Sequence, residues 1–223
     1  MSSSTKIISV AARDSALSRA QVEEVLIELR QYYPYIEFSL NWIKTTGDLD
    51  QSSSLLTKEK TDFFTKEVDE AVLSGTSQIA IHSAKDLPEP IHPDLTVLLY
   101  TKGLDPSDVL VFRKGENLSS LPPFSKVGTS SLRRIENLHF LRKDLCPVDI
   151  RGEIAKRLFL LDEGKVDALI MANAALIRLK ILRDTLLLPG PVSPMQGRLA
   201  IIAKKGDLEM EEVFRVLKLG RLE

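Results

Sequence analysis

The 223-residue sequence contains very little cysteine and histidine. Its one cysteine, Cys146, excludes an intramolecular disulfide and a cysteine-rich zinc site. Its three histidines, His82, His92 and His139, lack the spacing that is typical of metal ligands. We therefore expect no metal site, and we expect polar or half-buried histidine side chains.

The sequence also lacks an excess of charge of either sign. Its 30 Lys and Arg residues balance 31 Asp and Glu residues, which leaves a net charge of −1. A near-neutral chain argues against broad binding of nucleic acid, which needs a basic surplus. No apolar run approaches the roughly 20 residues of a membrane span, and no secretory signal is visible. These absences predict a cytoplasmic protein without nucleic-acid or membrane partners.

Hydrophobic residues make up 43% of the chain, which is enough for ordinary globular cores. Short β-like runs alternate with helical patterns, and this alternation predicts an α/β protein with parallel sheets covered by helices on both faces. Strands are predicted at 7–11, 37–43, 78–82, 95–100, 109–112, 126–128, 147–150, 168–171 and 199–203. Helices are predicted at 15–29, 64–73, 132–141, 153–161, 174–179 and 208–219, with a loop at 48–61.

Two segments rich in Gly and Pro, 101–106 and 189–194, interrupt this alternation and predict two lobes joined by hinges. A cleft between hinged lobes is a common place for a ligand. The predicted boundaries are 1–101 plus 196–223 for lobe 1, 105–191 for lobe 2, and 102–104 with 192–195 for the hinges.

The first segment with chemical character, 79–88, runs from an apolar strand into small and polar residues. Ligands of open parallel sheets bind beyond the carboxyl ends of the strands. Asp86 stands beside Lys85, so its charge can be tuned by a neighbouring cation. The alternative interpretation is a loop with a surface ion pair and a helix cap.

The second segment is Val127-Gly128-Thr129-Ser130-Ser131-Leu132-Arg133-Arg134, in which a short strand enters a helix. Arginines in the first turn of a helix oppose the helix dipole, so an anionic ligand would compensate for them. Ordinary Ser and Thr capping beside solvated arginines is the alternative. The segment is not a Walker A loop, because no Gly-Lys-Ser/Thr follows at the required spacing.

Further arginines follow other predicted strands. Arg151 and Arg157 lie in the stretch 126–157, which has eight Lys and Arg against four acidic residues, and Arg13 follows the first strand. Guanidinium groups bind carboxylates and phosphates bidentately. Several arginines at strand ends therefore predict a ligand with several anionic groups.

Together these blocks resemble the porphobilinogen deaminase family, also called hydroxymethylbilane synthases. The resemblance keeps the family's order and spacing over almost the whole chain. The resembling blocks are 12–17, 45–48, 64–67, 79–88, 105–108, 127–134, 151–152 with 157–158, 161–164 and 167–172 running to 178–179.

The resemblance implies a two-lobed fold like that of the periplasmic binding proteins. It also implies a transferase of haem biosynthesis that condenses four porphobilinogen molecules into hydroxymethylbilane and releases ammonia. The chain of pyrrole units would grow on a dipyrromethane cofactor. The protein is expected to be a monomer. The implied catalytic residue is Asp86. The implied cofactor-binding residues are Lys85, Ser83, Thr129, Ser130, Ser131, Arg133, Arg134, Arg151 and Arg157. The implied substrate-binding residues are Arg13, Ser15 and Arg178.

Three departures from the family pattern bear on activity. The resemblance ends near 197–223, so we expect the family's third domain, with its cofactor-bearing cysteine, to be absent, and Cys146 does not match that attachment position. The family's Lys-Gly-Leu-Phe loop is present only as Lys60-Thr61-Asp62-Phe63-Phe64. The Gly-Gln-Gly turn between the lobes reads Met195-Gln196-Gly197, which removes some hinge freedom.

Three functions stay open on the sequence. The first is a shortened hydroxymethylbilane synthase that holds dipyrromethane without the usual thioether or through an unexpected thiol. The second is a two-lobed protein that binds porphobilinogen or linear pyrroles with weak or no turnover. The third is a structural relic, which the presence of the arginines and of Asp86 disfavours.

Overall fold

The computed structural model describes residues 6–50 and 62–219. These residues form two compact units, and each unit has its own five-stranded sheet. The first unit contains residues 6–49, 62–103 and 198–219, and the second contains Asp50 and residues 104–197.

Strands and helices alternate along the described chain. The strands are β1 (Ile7–Arg13), β2 (Glu37–Ile43), β3 (Ile79–Ser83), β4 (Leu95–Tyr100), β5 (Asp108–Val111), β6 (Lys126–Gly128), β7 (Cys146–Val148), β8 (Ala168–Ala172), β9 (Thr185–Leu187) and β10 (Leu199–Lys204). The α-helices are α1 (Ala16–Tyr32), α2 (Thr46–Leu49), α3 (Lys66–Leu73), α4 (Leu132–Leu141), α5 (Ile154–Asp162), α6 (Asn173–Arg178) and α7 (Leu208–Leu219). Two short 3₁₀ helices span Ala84–Asp86 and Leu118–Ser120.

The sheet of the first unit has the strand order β2-β1-β3-β10-β4. β1 pairs in parallel with β2 and β3, whereas β10 is antiparallel to both of its neighbours. Helix α1 packs on this sheet because Val22, Val25, Leu26 and Leu29 form an apolar stripe at helical spacing. Because β2, β1 and β3 are parallel neighbours, they end beside one another at the same edge of the sheet.

The sheet of the second unit has the order β7-β6-β8-β5-β9. β6 is parallel to β7 and β8, and β5 is antiparallel to β8 and β9. Alternate residues of β5 enter different cores, Val109 and Val111 on one face and Leu110 on the other. This sheet is consequently buried on both faces, and its parallel strands β7, β6 and β8 end at one edge.

The prediction of parallel sheets is correct for six strands and wrong for the others. Residues 199–203 of β10 and 109–111 of β5 are continuous apolar runs, and such runs carry no signal for strand direction. The sequence pattern does not predict β9, because this strand is only three residues long and is exposed along its length. Thr46–Leu49 forms α2 and overlaps the start of the loop predicted at 48–61; residues 51–61 of that loop lie outside the described residues.

None of the helices in residues 6–50 and 62–219 is long and apolar enough to cross a membrane.

A tight turn at 195–197 places Met195 and Gly197 in the left-handed backbone region, with φ of 58° and 85°. An ideal Cβ on Gly197 would lie 2.6 Å from the carbonyl oxygen of Leu104. The Gly197 carbonyl in turn accepts a hydrogen bond from the Leu104 amide at 3.1 Å. Gly197 is thus required both for its backbone angle and for the close approach of another segment.

We predict that Gly197→Ala lowers the free energy of unfolding by about 2–4 kcal/mol, since left-handed strain and a clash with backbone add together. Gly115→Ala is the matched control in the same unit. Gly115 has φ of 81°, but nothing lies within 4 Å of the place that its Cβ would occupy. Its substitution should cost only the strain, about 1–2 kcal/mol. Urea unfolding of the two variants measures the difference, and equal losses would contradict the clash.

Candidate active site

In the first unit, three groups of site residues follow the three parallel strands. Arg13 ends β1, the segment 45–48 follows β2, and Ser83 with the turn 84–86 follows β3. The predicted residues Arg13, Ser15, Ser83, Lys85 and Asp86 therefore lie along one edge of the first sheet. Ligands of open α/β sheets bind at this edge.

Arg13 is fixed by two contacts within its unit. Its guanidinium forms an ion pair with Asp48 and lies 4.4 Å from the centre of the Phe64 ring. Asp48 also accepts hydrogen bonds from the Thr45 amide at 3.0 Å and the Thr45 hydroxyl at 2.9 Å. Burial raises the pKa of Asp48, but Arg13 and then Thr45 lower it further, so the net pKa is below its ordinary value. Arg13 is thus oriented by a carboxylate that stays ionised.

Ser15 is the N-cap of α1, and its hydroxyl accepts a hydrogen bond from the Ser18 amide at 3.2 Å. Ser15 lies two residues after Arg13, and this contact is a helix cap.

The end of β3 is held from three sides. The Ser83 hydroxyl accepts a hydrogen bond from Gln21 Nε2 at 2.8 Å, and the Ala84 amide donates to the Arg198 carbonyl at 3.0 Å. The buried His82, one residue earlier, has its Nε2 3.0 Å from Asp69 Oδ1. These contacts fix the backbone from which Asp86 projects.

Asp86 is the last residue of the 3₁₀ turn and is half-buried. No hydrogen bond or ion pair to its carboxylate is found among residues 6–50 and 62–219. Asp69 on α3, by contrast, is engaged by His82. Asp86 therefore presents an uncommitted carboxylate at the carboxyl end of a buried strand.

In the second unit, site residues again follow the three parallel strands. Thr129, Ser130 and Ser131 follow β6, Arg151 lies three residues beyond β7, and Arg178 ends α6, the helix after β8. Because β7, β6 and β8 are adjacent and parallel, these residues share one edge of the second sheet. Cys146 is the first residue of β7, so it lies at the opposite edge.

Arg133 and Arg134 lie in the first turn of α4, as predicted, and both bind Asp108. Arg133 Nη1 donates to Asp108 Oδ2 at 2.7 Å, and Arg134 Nε and Nη2 donate to Oδ1 at 3.0 and 2.6 Å. The Asp108 carboxylate is buried, while 25% of the Arg133 side chain and 12% of the Arg134 side chain are exposed. Two guanidinium groups thus share one carboxylate and retain a net positive charge.

This arrangement changes the interpretation of the two arginines. The sequence suggests that an anionic ligand compensates for cations in the first turn of a helix. The structure supplies an anion of the protein itself, Asp108, which sequence reasoning notes only as the end of a resembling block. The need of adjacent arginines for a carboxylate is the available signal, but the sequence does not say which acidic residue meets it.

The hydroxyl residues before α4 differ in their contacts. Ser130 Oγ donates to Asp149 Oδ1 or to the Ile150 carbonyl, and it accepts from the Ile150 amide at 3.2 Å. Ser131 is the N-cap of α4, but its side chain makes no capping hydrogen bond. The buried Thr129 hydroxyl has no hydrogen-bond partner in the described part of the chain. The N-terminus of α4 therefore lacks a side-chain cap.

The remaining arginines each donate to a backbone carbonyl in their unit. Arg151 Nη2 donates to Asp50 at 2.9 Å, Arg157 Nε to Gly152 at 2.7 Å, and Arg178 Nη2 to Gly197 at 2.8 Å. All three side chains are half-buried. They are therefore partly ordered without a ligand.

Two further sequence-based interpretations concern loops and metals. In the segment 60–64, which stands where the family has Lys-Gly-Leu-Phe, Lys60 and Thr61 lie outside the described residues. Within residues 6–50 and 62–219, no three His, Cys, Asp or Glu side chains are grouped as metal ligands would be.

The sequence is similar to one known protein family and to several of its members. Residues 8–212 match the family model described as "Porphobilinogen deaminase, dipyromethane cofactor binding domain". The "Probable porphobilinogen deaminase" of Chlamydia trachomatis serovar D is 44% identical over 197 residues, covering 88% of this chain and 81% of the relative. The porphobilinogen deaminase of Thermus thermophilus is 38% identical over 216 residues, covering 95% of this chain and 70% of the relative.

Solved structures with the same fold have low sequence identity to the chain. A periplasmic substrate-binding protein of an ABC transporter from Coxiella burnetii aligns with a TM-score of 0.58 at 13% identity, covering 96% of this chain and 92% of that one. A lipoprotein from Treponema pallidum aligns with the same TM-score at 15% identity, covering 98% and 93%. The fold is accordingly the α/β fold of two-lobed periplasmic binding proteins, and the sequence matches show that the chain belongs to the porphobilinogen deaminase family, whose matched domain binds a dipyrromethane cofactor.

Proposed function

We propose that this chain is an active hydroxymethylbilane synthase, a transferase that condenses four porphobilinogen molecules and releases one ammonia for each. The observation that supports this most strongly is the pair of guanidinium groups on one buried carboxylate, since its surplus charge suits a pyrrole ligand with carboxylate side chains. Action as a cytoplasmic monomer without nucleic-acid partners stays a sequence-based prediction.

In this proposal Asp86 is the catalytic residue. When ammonia leaves the aminomethyl group of porphobilinogen, positive charge develops on the pyrrole. An uncommitted carboxylate stabilises that charge and accepts the proton that the attacked pyrrole later releases. The rigid end of β3, held through Ser83 and Ala84, keeps this carboxylate in place.

The residues of the second unit fit the acidic side chains of dipyrromethane. Their chemistry is that of an anion site, with partly exposed arginine side chains and an N-terminus of α4 that lacks a side-chain cap. When bound, dipyrromethane supplies the pyrrole to which substrate units are added. We assign its binding to these residues of the second unit, Thr129, Ser130, Ser131, Arg133, Arg134, Arg151 and Arg157, and to Lys85 and Ser83 of the first unit.

Binding of the incoming porphobilinogen is assigned to Arg13, Ser15 and Arg178. Arg13 is preorganised by Asp48 and Phe64, and Arg178 by the Gly197 carbonyl, so neither guanidinium has to be ordered fully on binding.

The function is tested by incubating the purified chain with porphobilinogen and measuring its consumption and the formation of hydroxymethylbilane. The intact mass and a pyrrole-reactive aldehyde show whether the protein carries a pyrrole. Product formation supports the proposal. If no pyrrole is found and no product forms even with added preformed bilane, the enzyme assignment is wrong. Porphobilinogen binding without product would then indicate a pyrrole-binding protein.

We predict that Asp86→Asn leaves the dissociation constant for porphobilinogen within about threefold but lowers turnover by about 100-fold or more, because general acid–base catalysis contributes 10² to 10⁴. Asp94→Asn is the control, since Asp94 is an exposed carboxylate in the turn before β4 of the same unit. Near-normal turnover of Asp86→Asn would remove the catalytic assignment.

A second prediction separates charge from geometry at α4. Arg133→Lys keeps the positive charge but loses the planar fork, so we expect the folded protein to retain less pyrrole after gel filtration. Arg142→Lys is the matched control, because Arg142 binds Asp144 through Nε at 2.9 Å and Nη2 at 2.7 Å elsewhere in the same unit. Equal retention in both variants would argue against an anion site at Arg133.

A third prediction concerns pH. The pKa of Asp48 is lowered in the folded state, so the stability it contributes is complete above its unfolded pKa and is lost as pH falls through the folded pKa. Asp48→Asn should therefore lower the free energy of unfolding at pH 7 by about 1–3 kcal/mol, with the difference from wild type shrinking below about pH 4. Urea unfolding between pH 3 and 7 tests this. Asp14→Asn, which breaks the more exposed pair with Arg19, should cost less than about 1 kcal/mol; a pH-independent loss for Asp48→Asn would contradict the ion-pair account.

A further inference from the structure

Asp108 is the most completely enclosed of the carboxylates that the structure pairs with arginine. It opens β5, its side chain is 1% exposed, and it accepts hydrogen bonds from Arg133, Arg134 and Gln196. Gln196 Nε2 donates to Oδ1 at 3.0 Å, so this oxygen receives three hydrogen bonds and Oδ2 receives one. Both oxygens of the buried group are thereby satisfied.

Because Asp108 is buried, it restricts the positions that the two arginine side chains can take. A buried carboxylate is tolerated only when it is paired and hydrogen-bonded, so moving either guanidinium away leaves it undercompensated. Burial raises the pKa of Asp108, and Arg134, Arg133 and Gln196 lower it by more, so the group stays ionised. The shared carboxylate also offsets the repulsion between two adjacent cations.

Further hydrogen bonds also hold Arg133 and Gln196 in place. Arg133 Nη1 also donates to the Pro191 carbonyl at 2.7 Å, and Asn137 from the next turn of α4 donates to the same oxygen at 2.9 Å. Gln196 donates in addition to the Pro106 carbonyl at 2.7 Å. Asp108 is thus the centre of a network that joins α4, the start of β5 and the segment around 191–196.

We propose that Asp108 is a positioning residue, which orients Arg133 and Arg134 as a preformed carboxylate-binding pair without touching the ligand. Two of its donors, the arginines, are the groups assigned to the pyrrole carboxylates, so this inference rests on the proposed function. Gln196 acts with it, because its amide donates both to Asp108 Oδ1 and to the Pro106 carbonyl and so holds the carboxylate from a second segment.

The test measures dipyrromethane binding to the full chain by calorimetry, together with turnover and thermal unfolding. Asp108→Asn keeps the shape of the side chain but removes its charge and replaces one acceptor oxygen with a donor. We expect the dissociation constant to rise by about 10- to 100-fold, which is the range for small misplacements of binding groups. Asp144→Asn is the matched control, since it also removes a carboxylate bound by two nitrogens of one arginine.

A second variant guards against failure to fold. Gln196→Ala removes one donor and leaves the ion pairs intact, so it should fold and weaken binding in the same direction by about two- to fivefold. Weaker binding by both Asp108 and Gln196 variants, with wild-type affinity in Asp144→Asn, supports the positioning role. Unchanged affinity in Gln196→Ala and in folded Asp108→Asn overturns it. Tighter binding also overturns it, because it would mean that Asp108 competes with the ligand for the arginines.

Binding and turnover keep the two proposals apart. If the wild-type chain binds dipyrromethane but makes no product, the proposed enzyme function fails while the affinities still decide the role of Asp108. If the wild-type chain makes product and the Asp108 variant binds as tightly as wild type, only the positioning role fails. Absence of any binding by the wild type overturns both.

Discussion

One buried carboxylate determines how the second unit presents its positive charge. Asp108 is removed from water by the sheet in which it lies, and a charge in that position is stable only with close counterions. Arg133 and Arg134 supply them from the first turn of α4, where helix geometry alone would disfavour cations. Because two cations bind one anion, one net positive charge remains. It lies at the edge of the sheet where family ligands are expected.

In the first unit a carboxylate likewise holds an arginine in place, but it pairs with one arginine instead of two. Asp48 accepts from Thr45 and pairs with Arg13, while the Phe64 ring lies against one face of that guanidinium. Asp86, which follows β3 on the other side of β1, has no such partner in the part of the chain described. A paired carboxylate is a structural support for an arginine, whereas an unpaired one at a strand end is available for chemistry. This contrast separates the two roles more clearly than residue type does.

The sequence predicts most of the α/β alternation, because buried strands and amphipathic helices have different apolar periods. It cannot predict that β5 and β10 run antiparallel, since a fully buried strand has the same apolar pattern in either direction. It identifies Arg133 and Arg134 but not Asp108, because the pairing joins positions 25 and 26 residues apart through the tertiary fold. The local sequence pattern therefore identifies the two arginines, whereas the tertiary structure is needed to identify their carboxylate partner.

Cys146 begins β7, at the edge of the second sheet away from the site residues, and it is the one cysteine of the chain. The one tryptophan, Trp42, lies on β2 of the first unit beneath the guanidinium of Arg19. A thiol-specific acceptor dye on Cys146 would therefore form a unique energy-transfer pair with the indole, one chromophore on each unit. Such a pair reports changes in the distance between the units in solution, and it needs no substitution in the residues that bind or react.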